Sequence, residues 1–78
     1  MTLRVEFTVE PFVAGEPGAH VHAAIEAAAR HGLAVEFGPF GSSGEGADDV
    51  VLAAVDAATR AALAAGASRV SLQFSRVG

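Results

Sequence analysis

The sequence predicts a single α+β domain with four strands and two helices in the order β-α-β-β-α-β. Two segments near the ends of the 78-residue chain alternate apolar and polar residues, which is typical of half-buried strands. Two alanine-rich segments repeat their apolar residues every three or four positions, as amphipathic helices do. A glycine-rich segment in the middle of the chain predicts a hairpin between two further strands. A chain of this length forms one domain with a small core.

The first strand is predicted over residues 3–10, where the alternation is unbroken. Pro11 ends it, because proline fixes φ and has no backbone N–H to donate. The segment after Pro11 is predicted to be a loop as far as Gly18. One side of the strand is expected to face the core with Leu3, Val5, Phe7 and Val9, and the other side carries Arg4, Glu6, Thr8 and Glu10.

Both helices are predicted from apolar stripes that end at a glycine. The first spans residues 19–31 and is followed by Gly32; the second begins at residues 47–49 and ends at Gly66. Acidic residues at the start of the second helix suit the positive end of its dipole. The stripes expected to be buried are Val21, Ala24, Ile25 and Ala28 in the first helix, and Val51, Ala54, Val55, Ala58 and Ala62 in the second.

The remaining strands are predicted over residues 33–37, over an irregular stretch at 40–45, and over 69–75. With both helices on one face, this order gives a ferredoxin-like fold, a four-stranded antiparallel sheet covered on one side. In the last strand, Val70, Leu72 and Phe74 are expected to point inward. The uncovered face is then lined by Arg4, Glu6, Thr8, Glu10, Glu36, Ser71, Gln73 and Ser75. A polar face of this kind can be solvated, can pair with another subunit or can hold a ligand.

The composition narrows the classes of function. The chain has no cysteine, which excludes disulfides and cysteine-based metal sites. A net charge of −4, with arginines but no lysine, argues against a nucleic-acid or anionic-membrane surface and suits a neutral or cationic ligand. Neither a signal peptide nor a transmembrane run is predicted, so a cytoplasmic location is expected. The alanine-rich core buries little area, which favours stabilisation by self-association.

The glycine-rich segment over residues 36–46 contains four glycines and Pro39. Glycine allows a close approach of another backbone or of a ligand, and a strand interrupted so often leaves backbone groups without partners. Ser42 and Ser43 add hydroxyls beside those groups. The segment is therefore either a loosely specified hairpin or a site that receives something small and polar.

Motifs of catalysis and metal binding are weak. His20 and His22 are two residues apart, so on a helix their side chains diverge and cannot share an ion. The serines lack a G-x-S-x-G pattern, and the glycines lack the lysine of a phosphate loop. Glutamates on the uncovered face, Glu6, Glu10, Glu36 and Glu45, could act as acid and base, but such residues are usually solvated. The sequence predicts a protein that is not an enzyme and has no metal and no cofactor.

Several segments together resemble the thiamine-binding protein family, the YkoF-like group. In the first strand and the segment after it, residues 5–12, 15–18 and 20–21 are similar to the start of that family, and Ser68-Arg69-Val70 is similar to the start of its last strand. Gly38-Pro39-Phe40-Gly41-Ser42 followed by Glu45-Gly46 resembles its Gly-Pro-x-Gly-Thr turn, with Ser42 in place of threonine. Gly44 departs from the pattern, because the family usually has a branched apolar residue there.

The resemblance implies a ferredoxin-like subunit that assembles into dimers or tetramers through its sheet. It also implies non-catalytic binding of thiamine or its hydroxymethylpyrimidine part, in vitamin B1 salvage or transport. The alternative is a ligand-free module that assembles through the polar sheet face.

The ligand site is predicted from residue chemistry around the hairpin. Serine hydroxyls can hydrogen-bond an aminopyrimidine, an aromatic ring such as that of Phe40 or Phe12 can stack on it, and a carboxylate can attract the thiazolium cation. The predicted site comprises Thr8, Glu10, Phe40, Ser42, Ser43 and Glu45. The sequence leaves open whether Glu45 contacts the ligand or pairs with Arg69, either within the sheet or across a subunit interface.

Overall fold

The structure, a computed structural model, describes residues 1–11, 18–38 and 41–77. Six elements follow one another within this part of the chain: β1 (Thr2–Glu10), α1 (Ala19–Arg30), β2 (Val35–Gly38), β3 (Gly41–Ala47), α2 (Asp48–Ala64) and β4 (Arg69–Val77). The strands form one sheet in the order β2-β3-β1-β4, and every neighbouring pair is antiparallel. The predicted ferredoxin-like α+β fold is confirmed.

Element boundaries differ from the prediction chiefly on either side of the hairpin. Leu33 was expected in the second strand, but its N–H donates to the carbonyl oxygen of Ala28 at 3.1 Å. Gly32, with φ of +88°, makes this turn at the end of α1 possible. The chain therefore enters β2 only at Val35. On the other side, β3 is a regular seven-residue strand rather than the irregular one expected.

The core lies between the helices and one face of the sheet. The buried residues of the helices agree closely with those predicted from the sequence. All five residues expected to be buried in α2 are buried. In α1, Ile25 is only partly buried, and Ala27 is buried in addition to the predicted residues. Leu33, Val5 and Val51 are the largest side chains among the described residues that are fully buried. The rest of this core consists mainly of alanines, so its close packing depends on a few large residues.

The inward side of β4 is more exposed than expected. Leu72 lies directly opposite Phe7, and Phe74 opposite Val5, so both share the face that packs against the helices. Even so, each is 41% exposed. The reason is the position of β4 at the edge of the sheet, where side chains have a neighbouring strand on one side only.

Two glycines of β3 provide a test of packing on the helix-facing side. A Cβ added at Gly44 would lie 3.1 Å from the carbonyl oxygen of Ala34 and 3.1 Å from two side-chain carbons of Leu33. We expect Gly44→Ala to lower the free energy of unfolding by about 1–3 kcal/mol, because the buried leucine and a backbone oxygen must move apart. Urea unfolding followed by circular dichroism measures this change.

Gly46→Ala is the matched control, since a Cβ there would meet Val51 at an ordinary 3.7 Å. Alanine also restricts the unfolded chain more than glycine does, so this variant should be as stable as the parent or slightly more stable. Equal destabilisation by the two substitutions would contradict the packing described for Gly44.

Candidate functional site

The uncovered face of the sheet, called the polar face below, is organised in rows by the pairing of β1 with both neighbours. Residues directly opposite each other in antiparallel strands share a face and lie side by side. Glu6 is opposite Ser43 on β3 and Gln73 on β4, which gives a row of three polar side chains. In the next rows, Arg4 lies between Glu45 and Ser75, and Thr8 lies opposite Ser71.

A hollow of about 400 Å³ opens on the polar face. This volume falls within the range of roughly 300–1,000 Å³ that is usual for sites of small molecules. Its lining comes from all four strands: Arg4, Glu6, Phe7, Thr8, Gly38, Gly41, Ser42, Ser43, Ser71, Leu72 and Gln73. Because strand side chains alternate between faces, Phe7, Ser42 and Leu72 border the hollow with their main chain.

The hollow is open where β2 ends at Gly38 and β3 begins at Gly41, because neither of these residues has a side chain. Gly38 and Gly41 are paired across the two strands and both line the hollow. A Cβ at Gly41 would come within 2.9 Å of Thr8 Cγ2 and of the Phe7 carbonyl oxygen, and its φ of +150° is one that other residues rarely adopt. Glycine is thus required at this position, and its lack of a side chain leaves the space open.

The charged side chains beside the hollow are grouped around Arg4, which lies between two carboxylates. Its Nε is 3.2 Å from Oε1 of Glu6, and its Nη1 is 3.9 Å from Oε2 of Glu45. All three side chains are about half exposed to solvent, so each pair contributes little to stability. One cation and two anions leave this group with a net negative charge, which favours a cationic ligand over an anionic one.

The structure brings some of the predicted site residues together and separates others. Thr8 and Ser43 both line the hollow with side chains on the polar face. Ser42 is 5% exposed and lies opposite Phe7, so its hydroxyl is on the helix-facing side. Glu10 and Glu45 lie outside the lining, and each is paired with an arginine. The predicted aromatic partners, Phe12 and Phe40, lie outside the described residues.

The alternative pairing of Glu45 with Arg69 inside one chain is wrong. Glu45 is near Arg4, and Nη1 of Arg69 lies 3.7 Å from Oε2 of Glu10. Both pairs join residues that are directly opposite each other in the sheet. Since β1 separates β3 from β4, Glu45 and Arg69 are two strands apart.

Eight lining residues were absent from the predicted site, and four of them have polar side chains on the polar face: Arg4, Glu6, Ser71 and Gln73. The alternation of β1 and β4 had already assigned all four to the uncovered face. What the sequence lacked was the register, which determines which residues of separate strands become neighbours.

The described histidines and both helices lie outside the lining of the hollow. Nε2 of His20 is 2.7 Å from the carbonyl oxygen of Pro11, a contact that joins the start of α1 to the residue after β1. No group of three or more potential ligands that could hold a metal ion is found in this part of the chain. Neither described helix has the length and apolar character needed to cross a bilayer.

Comparison with known proteins adds a family and a set of similar structures. The family model described as thiamine-binding protein matches residues 5–75. A domain of unknown function from Bacillus cereus is 29% identical with a TM-score of 0.67, over 95% of this chain and 72% of that one. A hypothetical protein from Methanocaldococcus jannascii is 28% identical with a TM-score of 0.72, over 99% and 81%.

A more distant structure has the same fold. It is a Thermotoga maritima protein described as a candidate for thiamine biosynthesis or salvage, 23% identical, with a TM-score of 0.52 over 96% of this chain and 81% of that one. Among curated proteins, none matches the sequence.

The two serines of β3 test which face each residue occupies. We expect Ser42→Leu to lower the free energy of unfolding by about 1–3 kcal/mol, because the larger side chain must enter a packed core opposite Phe7. Ser43→Leu, on the open side, should change it by no more than about 0.5 kcal/mol. Urea unfolding of both variants measures the difference, and the reverse order would mean that β3 is shifted by one residue.

Proposed function

We propose that this chain, which belongs to the thiamine-binding protein family, binds thiamine or its hydroxymethylpyrimidine part in the hollow of the polar face. The observation that carries the proposal is the hollow itself, a space of about 400 Å³ where hydroxyls, an amide and a carboxylate converge. A site with few, well-placed polar groups in a concave surface is what recognition of a small polar molecule requires.

The hydroxyls around the hollow suit an aminopyrimidine. Such a ring presents an exocyclic amine that donates hydrogen bonds and ring nitrogens that accept them. The Thr8, Ser43 and Ser71 hydroxyls can each donate and accept, so both needs can be met at close range. Where Gly38 and Gly41 carry no side chain, a ring can also approach the backbone closely.

The charges around the hollow suit the thiazolium cation of thiamine. Glu6 lines the hollow, Glu45 lies in the adjacent row and Glu10 lies at the far end of β1. Arg4 neutralises part of this charge through its contacts with Glu6 and Glu45. The remaining negative potential attracts a cation, while a phosphorylated ligand meets two carboxylates for one arginine.

The proposed activity is binding without chemical conversion, in cytoplasmic vitamin salvage or transport. The family description, thiamine-binding, points to binding rather than catalysis. The hollow offers a reversible site, since its charged walls remain about half exposed to water and a bound ligand can leave without a large rearrangement.

A second candidate is a module that assembles with copies of itself and holds no ligand. The exposed Leu72 and Phe74 on β4 favour it, because neighbouring apolar side chains at a sheet edge often mark a protein contact. Sedimentation equilibrium tests self-association, and titration with thiamine separates the candidates. A dimer or tetramer that binds thiamine fits the proposed function. An oligomer that binds neither thiamine nor hydroxymethylpyrimidine would contradict the proposed function and support the second candidate.

Two serines of β4 test the position of the site. Ser71 lines the hollow and Ser75 does not, although both are exposed on the polar face of the same strand. We expect Ser71→Leu to weaken thiamine binding at least tenfold by filling the space, as measured by isothermal titration calorimetry. Ser75→Leu, the matched control, should change the affinity less than threefold. Equal affinities for the two variants would place the ligand elsewhere.

A pair of acidic residues tests the attraction of the cation. Glu45→Gln should weaken binding of thiamine several-fold at low ionic strength but leave that of uncharged hydroxymethylpyrimidine unchanged, because only thiamine carries the thiazolium. Asp56→Asn removes the same charge from an arginine-paired carboxylate on α2 and should affect neither ligand. Calorimetric titrations at low and high salt measure both effects. Equal weakening of the binding of both ligands would contradict an electrostatic attraction between Glu45 and the thiazolium cation.

A further inference from the structure

We propose that the side-chain amide of Gln73 is the specificity-determining group of the hollow and pairs with the amine-and-ring-nitrogen edge of a 4-aminopyrimidine. The inference rests on the proposed function and assigns to one residue the recognition of the ring. Neither the family resemblance nor the predicted site includes this glutamine.

The rows of the polar face place Gln73 where a ring edge would lie. Thr8 and Ser71, which are small, form one row of the hollow, and Glu6 and Gln73 form the next row along the strands. Rows on the same face are about 7 Å apart, because alternate residues of a strand are separated by two steps of 3.4 Å. A six-membered ring that covers Thr8 and Ser71 therefore directs one edge toward Gln73.

Gln73 has the chemistry that this edge needs. A 4-aminopyrimidine presents a donor, the exocyclic N–H, directly beside an acceptor, the ring nitrogen. A primary amide presents an acceptor and a donor side by side in the complementary order, which is how glutamine and asparagine read the same kind of edge on adenine. The other polar side chains of the hollow differ: Glu6 only accepts, Arg4 only donates, and each serine or threonine offers a single oxygen.

The amide of Gln73 is also available for a ligand. The side chain is exposed on the polar face and lines the hollow. Its neighbour Glu6 is engaged by Arg4 at 3.2 Å, whereas within the described residues no hydrogen bond joins the Gln73 amide to another side chain. A ligand that binds Gln73 therefore replaces water and breaks no bond inside the protein.

The test compares two ligands on two forms of the protein. The ligands are hydroxymethylpyrimidine and the same molecule with hydrogen in place of the exocyclic amine; the proteins are the parent and Gln73→Ala. We expect loss of the amine to weaken binding to the parent by 10-fold or more, because the amide then faces a ring edge with no donor. For Gln73→Ala, hydroxymethylpyrimidine should bind at least 10-fold more weakly than to the parent, and loss of the amine should change its affinity less than threefold.

Two further variants separate recognition from a general disturbance of the strand. Ser75→Ala, on the same face of β4 but outside the lining, should keep the discrimination of the parent. Gln73→Glu keeps the size of the side chain but not its N–H donors, and should bind hydroxymethylpyrimidine at least 10-fold more weakly. Unfolding midpoints of all variants within a few degrees of the parent would show that the strand is intact.

Each outcome has a distinct meaning. If loss of the amine weakens binding equally in the parent and in Gln73→Ala, the amide does not read this edge and the inference is wrong while the proposed function remains. If the parent binds neither hydroxymethylpyrimidine nor thiamine, the proposed function fails and the inference fails with it.

Discussion

The register of β1 between its two neighbours is the constraint on which the rest of the structure depends. On one face of this central strand, Val5, Phe7 and Val9 are almost fully buried; each such side chain stabilises the fold by about 1.5–3 kcal/mol relative to exposure. A slip by one residue would exchange these three for charged and polar side chains. The burial of these apolar side chains stabilises one register of β1. The same register therefore determines which polar residues lie side by side on the other face.

How far the sequence predicts this structure depends on how much apolar pattern each segment has. The alternation of β1 and the stripes of both helices identify the elements and the polar face correctly, and they identify most of the buried residues, with Leu3 and Ile25 only partly buried. β3 has no such pattern, because Ser42, Gly44 and Gly46 occupy its helix-facing positions. Its orientation follows from pairing with β1 and not from its own residues. For this reason the sequence did not separate Ser42, which faces the core, from Ser43, which faces the hollow.

Ion pairs illustrate the same limit. Arg4, Glu10 and Glu45 were assigned to the polar face from the sequence, but their partners depend on which strands are adjacent. With β1 in the centre, Arg4 meets Glu45 and Arg69 meets Glu10, so Glu45 and Arg69 are not partners within one chain. The fold is shared with proteins 28–29% identical.

The alternation of faces along β1 and β4 has a consequence for how this scaffold can diverge. Residues that line the hollow and residues that form the core alternate in sequence, yet their side chains are separated by the thickness of the sheet. Substitutions at lining positions such as Glu6, Ser71 or Gln73 leave the opposite side of the strand untouched, and their cost in folding is small where the side chain is exposed. Ligand preference can therefore evolve one residue at a time on a framework whose foldability is maintained by a separate set of residues.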